Sequence, residues 1–308
     1  MSREVALAIV QSIRDRLKNI ARANDEDFNY VVVRYGLERM LYRLSKSEHS
    51  DQFVLKGATL FLYWQGEPHR PTMDADFTVM AEMSVEELEN IVKNLCNLEI
   101  DSEDGVVFLP ETIEGQKIRE GRAYEGVRVN LKALLGTQDF GVQLDVGFGD
   151  SMVPAPEEID YPVLLDFPAP RLKAYQKETT ISEKFQNMIE MGLANSRVKD
   201  FYDIWFLCEN FEFDGRGLRD AFTETFKRRK TVIPEATPIS LTDEMVQDEV
   251  MRTRWTAFLN DLGLTEEDLP LIDVINQIRS FVMPVSRSIH KKEGFNKIWK
   301  PDKGRIWG

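Results

Sequence analysis

The order of patterns along this 308-residue chain predicts an α+β architecture. Helical spacing opens the sequence, period-two alternation dominates its middle, and helical spacing returns after a proline-rich break. Over 3–23, Ile9, Val10, Ile13, Leu17 and Ile20 recur on one helical face, with Ser2 placed to cap the helix. Over 26–46, Val31, Tyr35, Leu37, Leu41, Tyr42 and Leu44 repeat the pattern. FVL at 53–55 reads as a short strand, after which Lys56 and Gly57 turn the chain into an apolar helix, ATLFLYWQ. DADFTVM alternates and predicts a strand from Asp74 to Met80. Ser84 followed by Glu87 forms a capping box that starts a helix over 84–95. Residues 99–115 are acidic and carry a VVF strand. GVRVNLKALL (126–135) and FGVQLDVGF (140–148) alternate around GTQD and predict an antiparallel hairpin. PAPEEIDYPVLLDFPAP (154–170) reads as connecting chain around a VLL strand and marks the domain boundary. Helices are expected over 179–195, 199–209, 214–229, 243–261 and 271–283. The expected organisation is a sheet-containing core over 1–165, a helical domain over 166–285 and a basic tail over 286–308.

Composition narrows the chemistry. With 43% hydrophobic and 30% charged residues the chain has material for a core and is not globally disordered. Two cysteines, Cys96 and Cys208, make neither a disulfide framework nor a cysteine zinc site. The three histidines, His49, His69 and His290, lack the spacing of a zinc hydrolase. No apolar run approaches the roughly 20 residues of a membrane helix. No signal peptide is read at the N-terminus, and a cytoplasmic location is expected. The net charge of −13 argues against bulk nucleic-acid binding, but KRRK at 227–230 and seven Lys/Arg within 285–308 make a local basic surface on an acidic body.

The informative feature is Asp74-Ala75-Asp76 at the start of a strand. Residues i and i+2 of a strand share a face, so the two carboxylates stand about 7 Å apart along one edge. Like charges at that separation call for a cation, and Mg²⁺ favours one or two carboxylates plus substrate phosphate oxygens. Asp145 is the second member, inside an otherwise apolar strand between Leu144 and Val146. If that strand lies beside the first, three carboxylates converge in a two-metal phosphoryl-transfer layout. The alternative partner for Asp145 is Arg128 on the preceding strand. The third member is Lys56-Gly57-Ala58-Thr59, where a strand turns into a helix N-terminus suited to phosphate.

These residues, in this order, resemble the nucleotidyltransferase toxins of the AbiEii/AbiGii class, relatives of the MenT toxins. The strings FVLKGATLFLYWQGEPHRPTMDADF, QLDVGFGD and EKFQNMIEMGLANSRVKDFYDIW carry the likeness, which runs from about residue 2 to about residue 283. The resemblance implies a polymerase-β-like minimal nucleotidyltransferase core joined to a C-terminal helical domain that contributes to the active site. It implies that Asp74 and Asp76 are the first motif's metal carboxylates and Asp145 the second motif's acid. Lys184 matches a third-motif lysine that contacts the triphosphate. Asp200 and Asp203 match the fourth motif, with Asp200 preferred for the active site. Two departures stand out: Ala58-Thr59 where family members often carry a second Gly or a Met, and Ala75 where Leu or Ile often separates the aspartates. Lys184, Met188 and Met191 fall at i, i+4, i+7, and a lysine on such a face wants an anion. Arg70 and Thr72, in the loop before Asp74, are placed to clamp a phosphate and to offer a hydroxyl near the γ-phosphate, with loop packing as the plain alternative.

The expected activity is therefore transfer of NMP from an NTP to an acceptor hydroxyl, with Mg²⁺, or Mn²⁺ in its place. An RNA 3′ end such as that of tRNA is the acceptor that the resemblance favours, and a cognate antitoxin protein the implied partner. The rivals are NMP transfer to protein hydroxyls, transfer of the γ-phosphate, and a non-catalytic module that binds NTP or antitoxin. Nucleotide-binding candidates are Lys56, Gly57, Thr59, Arg70 and Thr72.

Overall fold

The computed structural model describes residues 3–118, 126–194 and 197–308. The expected Ser2 cap lies outside them. The chain divides into two compact units, Met1–Asp150 with Glu157–Ala174, and Ser151–Pro156 with Tyr175–Gly308.

The first unit opens with α1 (Arg3–Asn24) and α2 (Phe28–Lys46), the second capped by Asp27, whose carboxylate accepts from the Tyr30 N–H. Then follow β1 (Val54–Lys56), α3 (Leu60–Gln65), β2 (Asp74–Val79) and α4 (Val85–Cys96), and both halves of the expected Ser84/Glu87 capping box are present. β3 (Val106–Ile118) is far longer than its VVF signal; β4 (Gly126–Leu135) and β5 (Gln138–Phe148) form the expected hairpin. β6 (Glu157–Asp160) and β7 (Arg171–Ala174) complete a mixed sheet in the order β3-β4-β5-β2-β1-β7-β6. β2 runs parallel to β5, and β1 parallel to β7.

Alternation along β2, β4 and β5 sorts the side chains. Phe77, Val127, Val129, Leu144 and Val146 are buried on one face. There Phe77, Val129, Leu144 and Val146 share an apolar space with Met40, Leu41 and Leu44 of α2 and with Leu88, Ile91, Val92 and Leu95 of α4. Burying such side chains contributes about 1.5–3 kcal/mol each. The period of two then commits Asp74, Asp76, Arg128 and Asp145 to the other face. Buried polar groups tie α2 down: Arg43 bonds both Asp104 oxygens at 2.7 and 3.3 Å, and Glu38 accepts the Leu164 N–H at 2.7 Å. Burial pushes the Glu38 carboxyl up to about 7 against the opposing pull of Arg39.

Two expectations change here. VLL at 163–165 is not a strand: the Leu164 N–H goes to Glu38 and the Pro168 carbonyl accepts from Arg39, so no ladder forms. Pro162, Pro168 and Pro170 lack the N–H a ladder needs. The strands flank it instead, and because β7 pairs with β1 the expected boundary at 165/166 falls inside the first unit.

The second unit contains α5 (Lys177–Met191), α6 (Val198–Asn210), the two-residue β8 (Phe213–Asp214), α7 (Gly215–Arg228), α8 (Asp243–Gln247), α9 (Glu249–Asp261) and α10 (Leu271–His290). It ends with β9 (Ile298–Lys300) and β10 (Ile306–Trp307), which build a small sheet in the order β10-β9-β8. The helix expected over 243–261 is split at Asp248, which leaves the helical conformation and caps α9 by accepting the Met251 N–H at 2.7 Å. α10 runs through Pro284 to His290, because Val282, Met283, Val285 and Ser286 remain buried on both sides of the proline.

The segment 286–308, read as a tail, is part of this unit. Fully buried Trp299 donates from Nε1 to the Cys208 carbonyl at 2.7 Å, and Trp307 donates to the Phe281 carbonyl at 2.9 Å. Phe295 and Trp299 bury while Lys291, Lys292, Lys297 and Lys303 stay exposed, so charge alone hid its packing.

Candidate active site

The register of the first unit's sheet assembles a row of charges. Lys56 pairs with Asp76, Asp76 with Asp145, and Asp145 with Arg128, on four adjacent strands. Register partners point to the same face and neighbouring strands lie about 4.8 Å apart. The face therefore reads cation, carboxylate, carboxylate, cation. Asp74 stands one row along, opposite Gln143. The expectation that the DAD strand and the LDV strand are neighbours holds, and the three aspartates share a face.

Each carboxylate is held by a defined neighbour. Arg128 forks onto Asp145, with Nε 2.8 Å from one oxygen and Nη2 2.7 Å from the other. That hydrogen-bonded pair raises the guanidinium above its usual value against the opposing effect of burial, with the charges of Asp145, Asp74 and Asp76 adding to the rise. Thr72 donates to Asp74 at 3.0 Å, so this loop residue does reach the site, as a support for a carboxylate. Gly57 presses on Asp76: it has φ +80°, and a Cβ placed there would lie 2.1 Å from the Asp76 Oδ2. Glycine is required at 57 both by the left-handed backbone and by this approach.

Lys56, expected at phosphate, has a protein partner. Its Nζ lies 2.5 Å from Asp150, and both side chains are buried. The pair passes over Gly147, where a Cβ would stand 3.4 Å from the carboxylate and 3.5 Å from the ammonium. Thr59 is buried and turns its hydroxyl onto the Lys56 carbonyl at 3.3 Å. Arg70 is half-buried and donates to the Pro71 carbonyl at 3.4 Å; with Thr59 and Thr72 it lines a partly enclosed space.

The remaining candidates lie in the second unit. Lys184 sits between two carboxylates, 2.9 Å from Asp200 and 2.8 Å from Asp203. Arg197 adds a bond to the other Asp200 oxygen at 2.7 Å. The anion expected for the buried Lys184 is thus supplied by α6. Burial pushes the Asp200 carboxyl up, but Lys184 and Arg197 outweigh it and hold it below its ordinary value. Tyr202 and Phe206 are buried on the same helix as core residues.

Asp150 and Arg197 are participants that the sequence left unassigned, whereas Arg128 was already named as the alternative partner of Asp145. Arg128 was visible as the alternating charge in GVRVNL, one strand before Asp145. Asp150 closes the LDVGFGD string, and Arg197 lies three residues before Asp200.

The donor set fits a hard divalent cation in part. Asp74 and Asp76 offer carboxylate oxygens on one face, which suits Mg²⁺ with its remaining positions filled by water and phosphate. Among the described residues, no three His, Cys, Asp or Glu side chains are grouped to hold a metal ion by themselves. Asp145, the third acid, has both oxygens engaged by Arg128.

The sequence profile of the family described as "Nucleotidyl transferase AbiEii toxin, Type IV TA system" matches residues 39–282. No curated protein shows significant similarity. Among solved structures, the chain is similar to a provisionally assigned nucleotidyltransferase from H. pylori, at 11% identity and TM-score 0.48, covering 86% of this chain and 97% of that one. It is also similar to JHP933 from Helicobacter pylori, at 15% identity and TM-score 0.42, covering 83% and 89%.

Two outcomes follow from the geometry. Gly57→Ala forces a side chain into left-handed backbone, which costs about 1–2 kcal/mol before the clash with Asp76 is added. Denaturant unfolding is expected to show at least that loss, and unchanged stability would contradict the contact. For Asp200, the lowered carboxyl means that the folded state favours the ionised form. Its stabilisation is complete above the ordinary value of 3.8 and disappears as pH falls through the lower folded value. The stability difference between the parent protein and Asp200→Asn is therefore expected to narrow below pH 3.8, and a pH-independent difference would contradict the ion-pair assignment.

Proposed function

The chain belongs to the AbiEii family of nucleotidyltransferase toxins of type IV toxin–antitoxin systems, and on that premise we propose that it transfers NMP from an NTP to an acceptor hydroxyl at the Asp74/Asp76/Asp145 face. The observation that carries the reading is the pairing of Asp76 with Asp145 across parallel strands, with Asp74 on the same face.

Asp74 and Asp76 would hold Mg²⁺, or Mn²⁺ in its place. When bound, the metal neutralises charge on the nucleotide's phosphates and polarises the α-phosphate. Thr72 fixes Asp74 through its hydroxyl, and the Gly57 backbone buttresses Asp76. Once its oxygens are free of Arg128, Asp145 would take the proton of the attacking hydroxyl as the hydroxyl oxygen bonds to the α-phosphorus. The bond from that phosphorus to the β-phosphate bridge breaks, and pyrophosphate leaves. Most of the acceleration comes from placing the reactants and compensating charge. The buried Lys56–Asp150 pair holds the turn that carries Gly57.

RNA is the acceptor that we favour, a tRNA 3′ end in particular, and an antitoxin encoded with the chain is the partner that the family implies. Basic residues of the second unit would meet the RNA backbone through counterion release. Lys227 and Lys230 are exposed, as are Lys291, Lys292, Lys297 and Lys303. Arg229 is excluded from that role: it is buried and bonds Glu183, Gln186 and Asn187. Lys184, Asp200 and Asp203 act in this reading as a buried ionic lock between α5 and α6. No helix of the described residues is long and apolar enough to cross a membrane.

Incubation with α-labelled and γ-labelled NTPs, Mg²⁺ and total RNA tests the proposal. It predicts α-label in RNA and released pyrophosphate. α-label in protein would move the acceptor to protein hydroxyls, transfer of γ-label alone would make the chain a kinase, and no transfer would leave a binding module. Asp76→Asn removes metal-dependent stabilisation worth several kcal/mol, so transfer is expected to fall about a thousandfold or more with the fold intact. Near-normal turnover in that variant would reject the role of Asp76.

A further inference from the structure

The two cations that flank the carboxylate pair differ in one respect. Lys56 and Asp150 are both enclosed, with side-chain exposures of 8% and 2%. Arg128 is 34% exposed, while the Asp145 side chain that it covers is 8% exposed. The inner cation is locked in place, whereas the outer one has a solvent-open face. Arg128 also engages both oxygens of the one acid that the two-metal layout needs free. A guanidinium fork that fits a carboxylate fits a phosphate equally well, so an arriving phosphate competes for it directly.

We propose that Arg128 is a positioning residue that holds Asp145 out of the metal set in the free protein. The phosphates of an incoming nucleotide draw the guanidinium off, and Asp145 then joins Asp74 and Asp76. The fork thereby couples metal loading to substrate arrival and keeps three adjacent acids from collecting a divalent ion without substrate. The idea rests on the metal-dependent reading given above and adds to it a named competitor for the third ligand.

Mn²⁺ binding, followed by the electron paramagnetic resonance of free Mn²⁺, provides the test without turnover. Without nucleotide, Arg128→Gln is expected to bind Mn²⁺ about tenfold more tightly or better, the scale on which a neighbouring arginine shifts a carboxylate's affinity for a proton. The gain is expected to vanish when Asp145→Asn is added. Arg128→Lys keeps the charge but loses the fork, and a smaller gain is expected; it also serves if the glutamine variant does not fold. A non-hydrolysable NTP analogue is expected to tighten Mn²⁺ binding more in the parent than in Arg128→Gln. Mn²⁺ affinity unchanged in folded Arg128 variants, with Asp76→Asn still abolishing binding, overturns the latch and leaves the metal reading standing. Absence of Mn²⁺ binding in every variant, with or without the analogue, overturns both.

Discussion

Asp76 and Asp145 are nearest neighbours across two parallel strands, and much of the first unit serves to make that adjacency tolerable. Two unit charges about 5 Å apart at an effective dielectric of about 20 repel by about 3 kcal/mol. The protein answers with a cation on each side, Lys56 and Arg128, drawn from the two strands that border the pair. The opposite face supplies the stability: α2 and α4 bury Phe77, Leu144 and Val146 against it, which fixes the register and forbids a one-residue slip. A slip would turn the aspartates onto the helices and the apolar side chains away from them, so the apolar face enforces the geometry of the acidic one.

The carboxylate face was legible because its signal is local. Asp74-Ala75-Asp76 needs only the period of a strand, and an acid between Leu144 and Val146 marks a position that calls for a cationic partner. What could not be read was who neutralises whom. The partner of Lys56 is Asp150, a residue 94 positions away and beyond the end of β5. Arg128 was visible as a possible partner of Asp145, but only the β4–β5 register decides that it takes both oxygens. Long-range pairing of this kind depends on strand order, which a single sequence does not specify.

The second unit shows the reverse case. Its helices follow their periodicity closely, yet two features went unseen. Asp248 breaks a continuous-looking pattern because its side chain competes for backbone N–H groups and caps a new helix. The last 23 residues look like a charged tail, but Trp299 and Trp307 anchor them through indole hydrogen bonds to Cys208 and Phe281. A few aromatic residues outweigh many solvated lysines in deciding whether such a segment packs. The Lys184–Asp200–Asp203 cluster was named from the family resemblance, and its geometry is that of a buried ion network.

Asp74 and Asp76 are the proposed seat of a divalent cation. Crystals grown with Mn²⁺ and a non-hydrolysable NTP analogue, measured for anomalous scattering, test it most directly. The expected result is a manganese peak coordinated by both carboxylates and by phosphate oxygens of the analogue. A nucleotide and manganese bound elsewhere, with Asp74 and Asp76 touching neither, would contradict it.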